Sequence, residues 1–153
     1  MNLGEWMGRE RDEAARYKVL IVEDDPAVTR ILRVCLTTAG FDTTQAETGR
    51  EALQTMDEAL FDAVLLDLGL PDGLGGSVLR RLQDVSPNGY PAWLVVSALD
   101  EDEAVRRYGP LKGTFVPKPF DPWELIRTLQ GLLDQRNAAE STGNGTSPTN
   151  GHS

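Results

Sequence analysis

At 153 residues, with 40% hydrophobic and 25% charged positions, the chain has the length for one domain with a buried core and the make-up of an ordinary globular protein. A net charge of −9 and a pI near 4.6 leave no basic surplus to displace counterions, so a nucleic-acid partner is not expected. No apolar run approaches the roughly 18 residues of a membrane helix, no apolar core of a secretory signal occurs in residues 1–17, and the lone Cys35 suits a reducing compartment, so the expectation is a cytoplasmic protein with no membrane partner.

In chain order, residues 1–17 are polar without a sustained apolar face and read as an N-terminal arm. From 18 to 137 short apolar runs alternate with amphipathic helical patterns five times. The strand candidates are Lys18–Val22, Asp42–Ala46, Ala63–Leu66, Ala92–Val96 and Thr114–Pro117. Between the first two, Val28, Ile31, Leu32, Cys35 and Leu36 fall at helical spacing on one face; Leu125, Leu129, Leu132 and Leu133 do so after the last. Helix starts are marked by Asp25-Pro26 and Asp121-Pro122, an acceptor followed by proline at the first helical position. Thr48–Glu51 and Asp121–Glu124 have capping-box spacing. Tyr108-Gly109-Pro110 predicts an early end to the fourth helix. Residues 138–153 hold nothing large and apolar that could offset the entropy of ordering, so a disordered tail is expected, with His152 a solvated side chain.

Five strand–helix units in this length predict an α/β protein, a parallel sheet with helices on both faces. Such sheets bind ligands beyond the carboxyl ends of their strands, at a topological switch point. There the first strand runs into Glu23-Asp24-Asp25, the third ends on Asp67, the fourth on Ser97 and the fifth on Lys118. Neighbouring strands lie about 4.8 Å apart, so these side chains can converge. Carboxylates in such company need a compensating cation. Mg²⁺ fits, because it takes hard oxygen ligands and commonly bridges carboxylate and phosphoryl groups. Asp67 is then placed to act as a covalent nucleophile toward phosphorus, with Lys118 and Ser97 to meet charge on the phosphoryl oxygens. Asp25, followed by proline, reads as a helix cap and not a metal ligand.

In this order, VLIVEDDP, LLDLGLPDG, VVSA and FVPKPF resemble the signature set of the response-regulator receiver family, over roughly residues 18–136. The separations of 43, 30 and 21 residues between Asp24, Asp67, Ser97 and Lys118 are also typical of that family. The resemblance implies a flavodoxin-like, doubly wound five-stranded sheet of order 2-1-3-4-5. It implies Asp67 as phosphoacceptor, Asp24 as direct Mg²⁺ ligand, Glu23 as the acid reaching the metal through water, and the Gly69 carbonyl as a further ligand. By the same resemblance Lys118 pairs with a phosphoryl oxygen, the Lys118–Pro119 bond is cis, Ser97 is the switch hydroxyl and Phe115 the switch aromatic. The phosphodonor would be a histidine kinase or phosphotransfer protein. A downstream protein partner would bind the face of the fourth helix, fifth strand and fifth helix.

Such a domain, spanning 18–137, is a signalling phosphoacceptor that catalyses only its own phosphorylation and dephosphorylation. The short polar tail leads us to expect a stand-alone, chemotaxis-regulator-like receiver. Two positions depart from the usual pattern. Gly69 has no side chain to shield a phosphoryl group, and Leu99, two past Ser97, is apolar; both positions tune rates in the family. Gly69 also stands where related aspartyl-phosphate phosphatases carry a second acid, which counts against that enzyme class. A scaffold that has lost the chemistry is disfavoured by the intact acid, hydroxyl and lysine set. A flavin site is disfavoured by the acidic EDDPAV loop.

Overall fold

The computed structural model describes residues 16–85, 91–111 and 114–135. Residues 1–15 of the expected arm and the expected tail at 138–153, with His152, lie outside them. The strands are β1 (Lys18–Val22), β2 (Asp42–Ala46), β3 (Ala63–Leu66), β4 (Ala92–Ser97) and β5 (Thr114–Pro117). The helices are α1 (Pro26–Thr38), α2 (Gly49–Glu58), α3 (Gly75–Val85) and α4 (Glu101–Tyr108), followed by α5 over 122–135. All strand pairs are parallel and the order is β2-β1-β3-β4-β5, the flavodoxin-like arrangement expected. Only β4 exceeds its expected bounds, by Ser97, which pairs with Pro117 on β5.

Strand side chains alternate between two buried layers, as the period-2 geometry of a strand requires. Leu20, Val22, Val64, Leu66, Trp93 and Val95 face one layer, closed by Ala52 of α2, Val78, Leu79 and Leu82 of α3 and Ala104 of α4. Val19, Ile21, Ala63, Leu65, Leu94 and Val96 face the other, closed by Leu32 and Leu36 of α1 and Leu125, Ile126, Leu129 and Leu133 of α5. The three central strands are thus buried on both sides, which explains their unbroken apolar runs. The expected α1 face is right at Leu32 and Leu36, with Val28 and Cys35 packed at its margin. Ile31 is a correction. It is 48% exposed, because five apolar positions span more of the helix circumference than the sheet covers.

Local chemistry sets the ends. Asp25 caps α1 by accepting the Ala27 N–H at 2.9 Å, and Asp121 accepts from Trp123 and Glu124 at the start of α5. Thr48 accepts the Glu51 N–H at 3.0 Å, but Glu51 reaches back to the N–H of Glu47 and not of Thr48, so the box is closed one residue early. Gly109, with φ of 86°, ends α4 where expected, a conformation that favours glycine. Pro117 lies on the sheet's edge strand, the position where a residue without an N–H is tolerated. At the start of β1, Tyr17 stacks on Phe41 with centroids 6.1 Å apart, and Arg16 pairs with Asp42 at 3.0 Å.

Candidate functional site

Register delivers the polar residues to one edge. Val22 of β1 stands opposite Leu66 of β3, so Glu23 and Asp67 are the next residues along two neighbouring strands. The Asp67 N–H continues the ladder to the Val22 carbonyl at 3.0 Å. On the other side of Glu23, its N–H donates to Ala46 at the end of β2. Across β4, the Lys118 N–H donates to the Ser97 carbonyl at 2.9 Å, which fixes where the lysine leaves β5. Its neighbour Pro119 follows a cis bond, as expected.

The Lys118 side chain crosses the end of β4 and donates to two acids. Its Nζ lies 2.8 Å from Glu23 Oε1 and 3.2 Å from Asp67 Oδ2. The remaining carboxylate oxygens are also held: Glu23 Oε2 accepts the Asp25 N–H at 3.1 Å, and Asp67 Oδ1 accepts the Gly69 N–H at 3.0 Å. Glu23 is 3% and Asp67 7% exposed, so these contacts operate with little water between them. Asp24, by contrast, is exposed. One carboxylate oxygen from each of Glu23, Asp24 and Asp67 lies within 4.8 Å of the others.

Burial pushes the Glu23 carboxyl above its ordinary range; the Lys118 and Asp25 hydrogen bonds work the other way, and the Asp67 charge adds to the rise. For Lys118, burial opposes the ammonium, but the bonds and charges of Glu23 and Asp67 outweigh it and raise its pKa. The lysine is therefore a fixed cation. Three carboxylates against one ammonium leave an uncompensated negative site. The donor set is hard oxygen throughout, which suits a divalent cation such as Mg²⁺. The residues present fit the group.

The other expected residues stand close by. Ser97 is 2% exposed, and its Oγ accepts the Leu99 N–H at 3.1 Å. Phe115 is half-buried on β5 and packs, with Leu99, Tyr108 and Leu111, against the layer on the α2–α4 side of the sheet. A β-carbon added at Gly69 would sit 3.8 Å from Asp67 Oδ1 and touch nothing closer, so the approach to that oxygen is open. Asp25 stays outside the acid cluster and caps α1.

One residue of this edge escaped the sequence reading. Asp72, in the loop after β3, accepts the N–H groups of Gly49 at 3.1 Å and Arg50 at 3.0 Å, and that of Leu74 at 3.2 Å. Its carboxyl lies below the usual range, chiefly through the Arg50 N–H, with those of Gly49 and Leu74 adding and burial opposing. An acid before a glycine reads locally as a turn residue; a tie to a helix more than twenty positions away leaves no local signal.

The response regulator receiver domain family matches residues 19–130. This chain is a member of that family. It is 34% identical over 128 residues to the DNA-binding response regulator MtrA of Mycolicibacterium smegmatis, covering 84% of this chain and 55% of MtrA. The chain therefore spans about half the length of the curated relatives it matches. Among solved structures it resembles a CheY-like receiver domain from Methylobacillus flagellatus, with a TM-score of 0.64 and 29% identity over 77% of this chain and 99% of that one. A receiver domain from Methanospirillum hungatei shares the fold, with a TM-score of 0.72 at 23% identity over 82% of this chain and 99% of the other. Two-component signalling is thus the setting of this receiver domain, and its acids Glu23, Asp24 and Asp67 form a cluster that could hold a metal. Among the described residues no helix is long and apolar enough to cross a membrane.

Proposed function

We propose that this receiver domain accepts a phosphoryl group on Asp67 from a histidine kinase or phosphotransfer protein, in a Mg²⁺-dependent reaction, and that the modification changes which protein it binds. The observation that carries the reading is the Lys118 ammonium shared between Glu23 and Asp67 beside an exposed third acid. Asp67 is held by one N–H donor and one ammonium donor, so its carboxylate is oriented before any substrate arrives. In the transfer, a carboxylate oxygen forms the new O–P bond as the donor's N–P bond breaks, and the leaving imidazole keeps its electron pair and takes a proton from solvent. Mg²⁺, held by Asp24, Asp67, the Gly69 carbonyl and Glu23 through water, would supply the positive charge that offsets repulsion between carboxylate and phosphoryl oxygens. Lys118, already cationic, can exchange its bond to Asp67 for one to a phosphoryl oxygen.

The same oxygen offers a route to signalling. The Ser97 hydroxyl oxygen accepts the Leu99 N–H just past the end of β4, and its own O–H proton could be drawn to a phosphoryl oxygen. Movement of that hydroxyl would alter the packing of Phe115 and bias the equilibrium of the α4–β5–α5 face toward its partner-binding form. On this reading the domain catalyses only its own phosphorylation and dephosphorylation, as a cytoplasmic protein. The open space at Gly69 also leaves the acyl phosphate accessible to water.

The test is incubation with acetyl phosphate, with Mg²⁺ or with EDTA, followed by intact-mass measurement. A single phosphate adduct that needs the metal and is lost in Asp67→Asn supports the reading. No adduct, or one that survives Asp67→Asn, overturns it.

A further inference from the structure

The four N–H groups at the start of a helix have no partner within it and must find one elsewhere. At α2 the work is divided. Thr48 takes the Glu51 N–H at 3.0 Å, while the Gly49 and Arg50 N–H groups go to the two oxygens of Asp72. A carboxylate at this end also meets the positive pole of the helix. Asp72 belongs to the loop that leaves the phosphoacceptor, so the helix cap is at the same time an anchor for that loop.

The rest of the segment from Asp67 to Gly75 leaves little slack. Leu68 and Leu70 are buried in the α2–α4 layer. The Gly73 N–H closes a turn onto the Leu70 carbonyl at 3.0 Å. A β-carbon at Gly49 would lie 2.5 Å from that of Leu74. The apolar anchors set depth but are not directional, whereas the two bonds from Gly49 and Arg50 to Asp72 fix the loop laterally against α2. At its other end the loop presents Gly69, whose N–H holds Asp67 Oδ1.

We infer that Asp72 is a positioning residue: by tying the loop 68–75 to the first turn of α2, it holds the Gly69 backbone in register with Asp67 for cation binding. The inference rests on the phosphoacceptor reading above, and Asp72 stands outside the cluster of Glu23, Asp24 and Asp67 that would hold the cation. The expected consequence of losing the tie is a Mg²⁺ affinity weaker by about tenfold, the lower end of what removal of an outer-shell partner costs. The phosphorylation rate from acetyl phosphate should fall at low Mg²⁺ and recover as Mg²⁺ is raised.

The experiment compares Asp72→Asn with Thr48→Ala in the full chain, reading Mg²⁺ affinity from the Gly69 and Asp24 amide shifts in NMR titrations, and thermal stability alongside. Thr48→Ala removes one acceptor from the helix start and leaves the loop tied, whereas Asp72→Asn removes the charge and one of the two acceptor oxygens that tie the loop to the helix. The inference predicts weaker Mg²⁺ binding in Asp72→Asn alone, with both variants losing stability. Equal affinity in wild type and Asp72→Asn, or equal weakening in the two variants, overturns it and leaves Asp72 as a cap only. Asp72→Ser, whose single oxygen sits on a shorter side chain, makes the same comparison if Asp72→Asn does not fold. A wild-type protein that binds no Mg²⁺ overturns the phosphoacceptor reading together with this one.

Discussion

Replacing Lys118 by methionine keeps most of the stem and removes the charge, which leaves Glu23 and Asp67 facing each other without their shared cation. Glu23 is 3% exposed and the lysine side chain 18%, so water can replace the ammonium only in part. Breaking one side of a buried ion pair costs about 3–5 kcal/mol; the partial exposure of Lys118 argues for the lower end, about 3 kcal/mol in metal-free protein at pH 7. An escape route caps the Glu23 share. The carboxyl can take up a proton, and from its ordinary value of 4.5 this costs about 3.4 kcal/mol at pH 7 and about 0.7 kcal/mol at pH 5, at 1.36 kcal/mol per unit. The sign follows. A carboxyl whose folded pKa is raised holds its proton more tightly in the folded state, so stability is favoured at low pH and lost as pH rises above 4.5 through the raised value. The difference between wild type and Lys118→Met, measured by urea unfolding in EDTA, should therefore shrink from about 3 kcal/mol at pH 7 to about 1 kcal/mol at pH 5. Saturating Mg²⁺ should recover part of it, because a cation compensates the same carboxylates. A loss below about 1 kcal/mol at pH 7, or one equal at both pH values, would refute the electrostatic account of the site.

Other outcomes follow from the loop, the last helix and the switch. Gly75→Ala places a β-carbon 2.3 Å from the Leu68 carbonyl oxygen, a backbone atom that cannot move aside cheaply, and should cost about 1–3 kcal/mol in the same unfolding assay. Gly131→Ala meets nothing within 4 Å in the middle of α5 and should instead stabilise by about 0.5–1 kcal/mol. Beryllium and fluoride added with Mg²⁺ mimic an acyl phosphate; they should shift the Ser97 amide and Phe115 ring resonances, and silence at both would contradict the proposed switch.

The sheet was legible in the sequence because its central strands are buried on both faces, so VLIV, AVLL and AWLVV are apolar without interruption and each stops at a polar residue. Strand order came from the family resemblance and not from the runs themselves, which carry no neighbour information. Asp25 could be assigned as a cap from the proline after it, a purely local signal. Ile31 could not be placed outside the core, since helical spacing gives a face but not the width that the sheet covers. Lys118 was recognisable as a site residue, yet its bond to Glu23 was not: the two follow directly on β5 and β1, three positions apart in the sheet, and the long lysine stem closes the gap. Asp72 was missed for the same kind of reason, a partner distant in sequence with no pattern to announce it.

The central claim is that Asp67 carries the phosphoryl group, and it can be read at the residue itself. Protein treated with acetyl phosphate and Mg²⁺ is reduced with borohydride, which converts an aspartyl phosphate to homoserine, and then digested and mapped by tandem mass spectrometry. The account predicts homoserine at position 67 alone, absent when Mg²⁺ is withheld. Homoserine at another aspartate, or unaltered Asp67 in protein that carries the phosphate adduct, would contradict it.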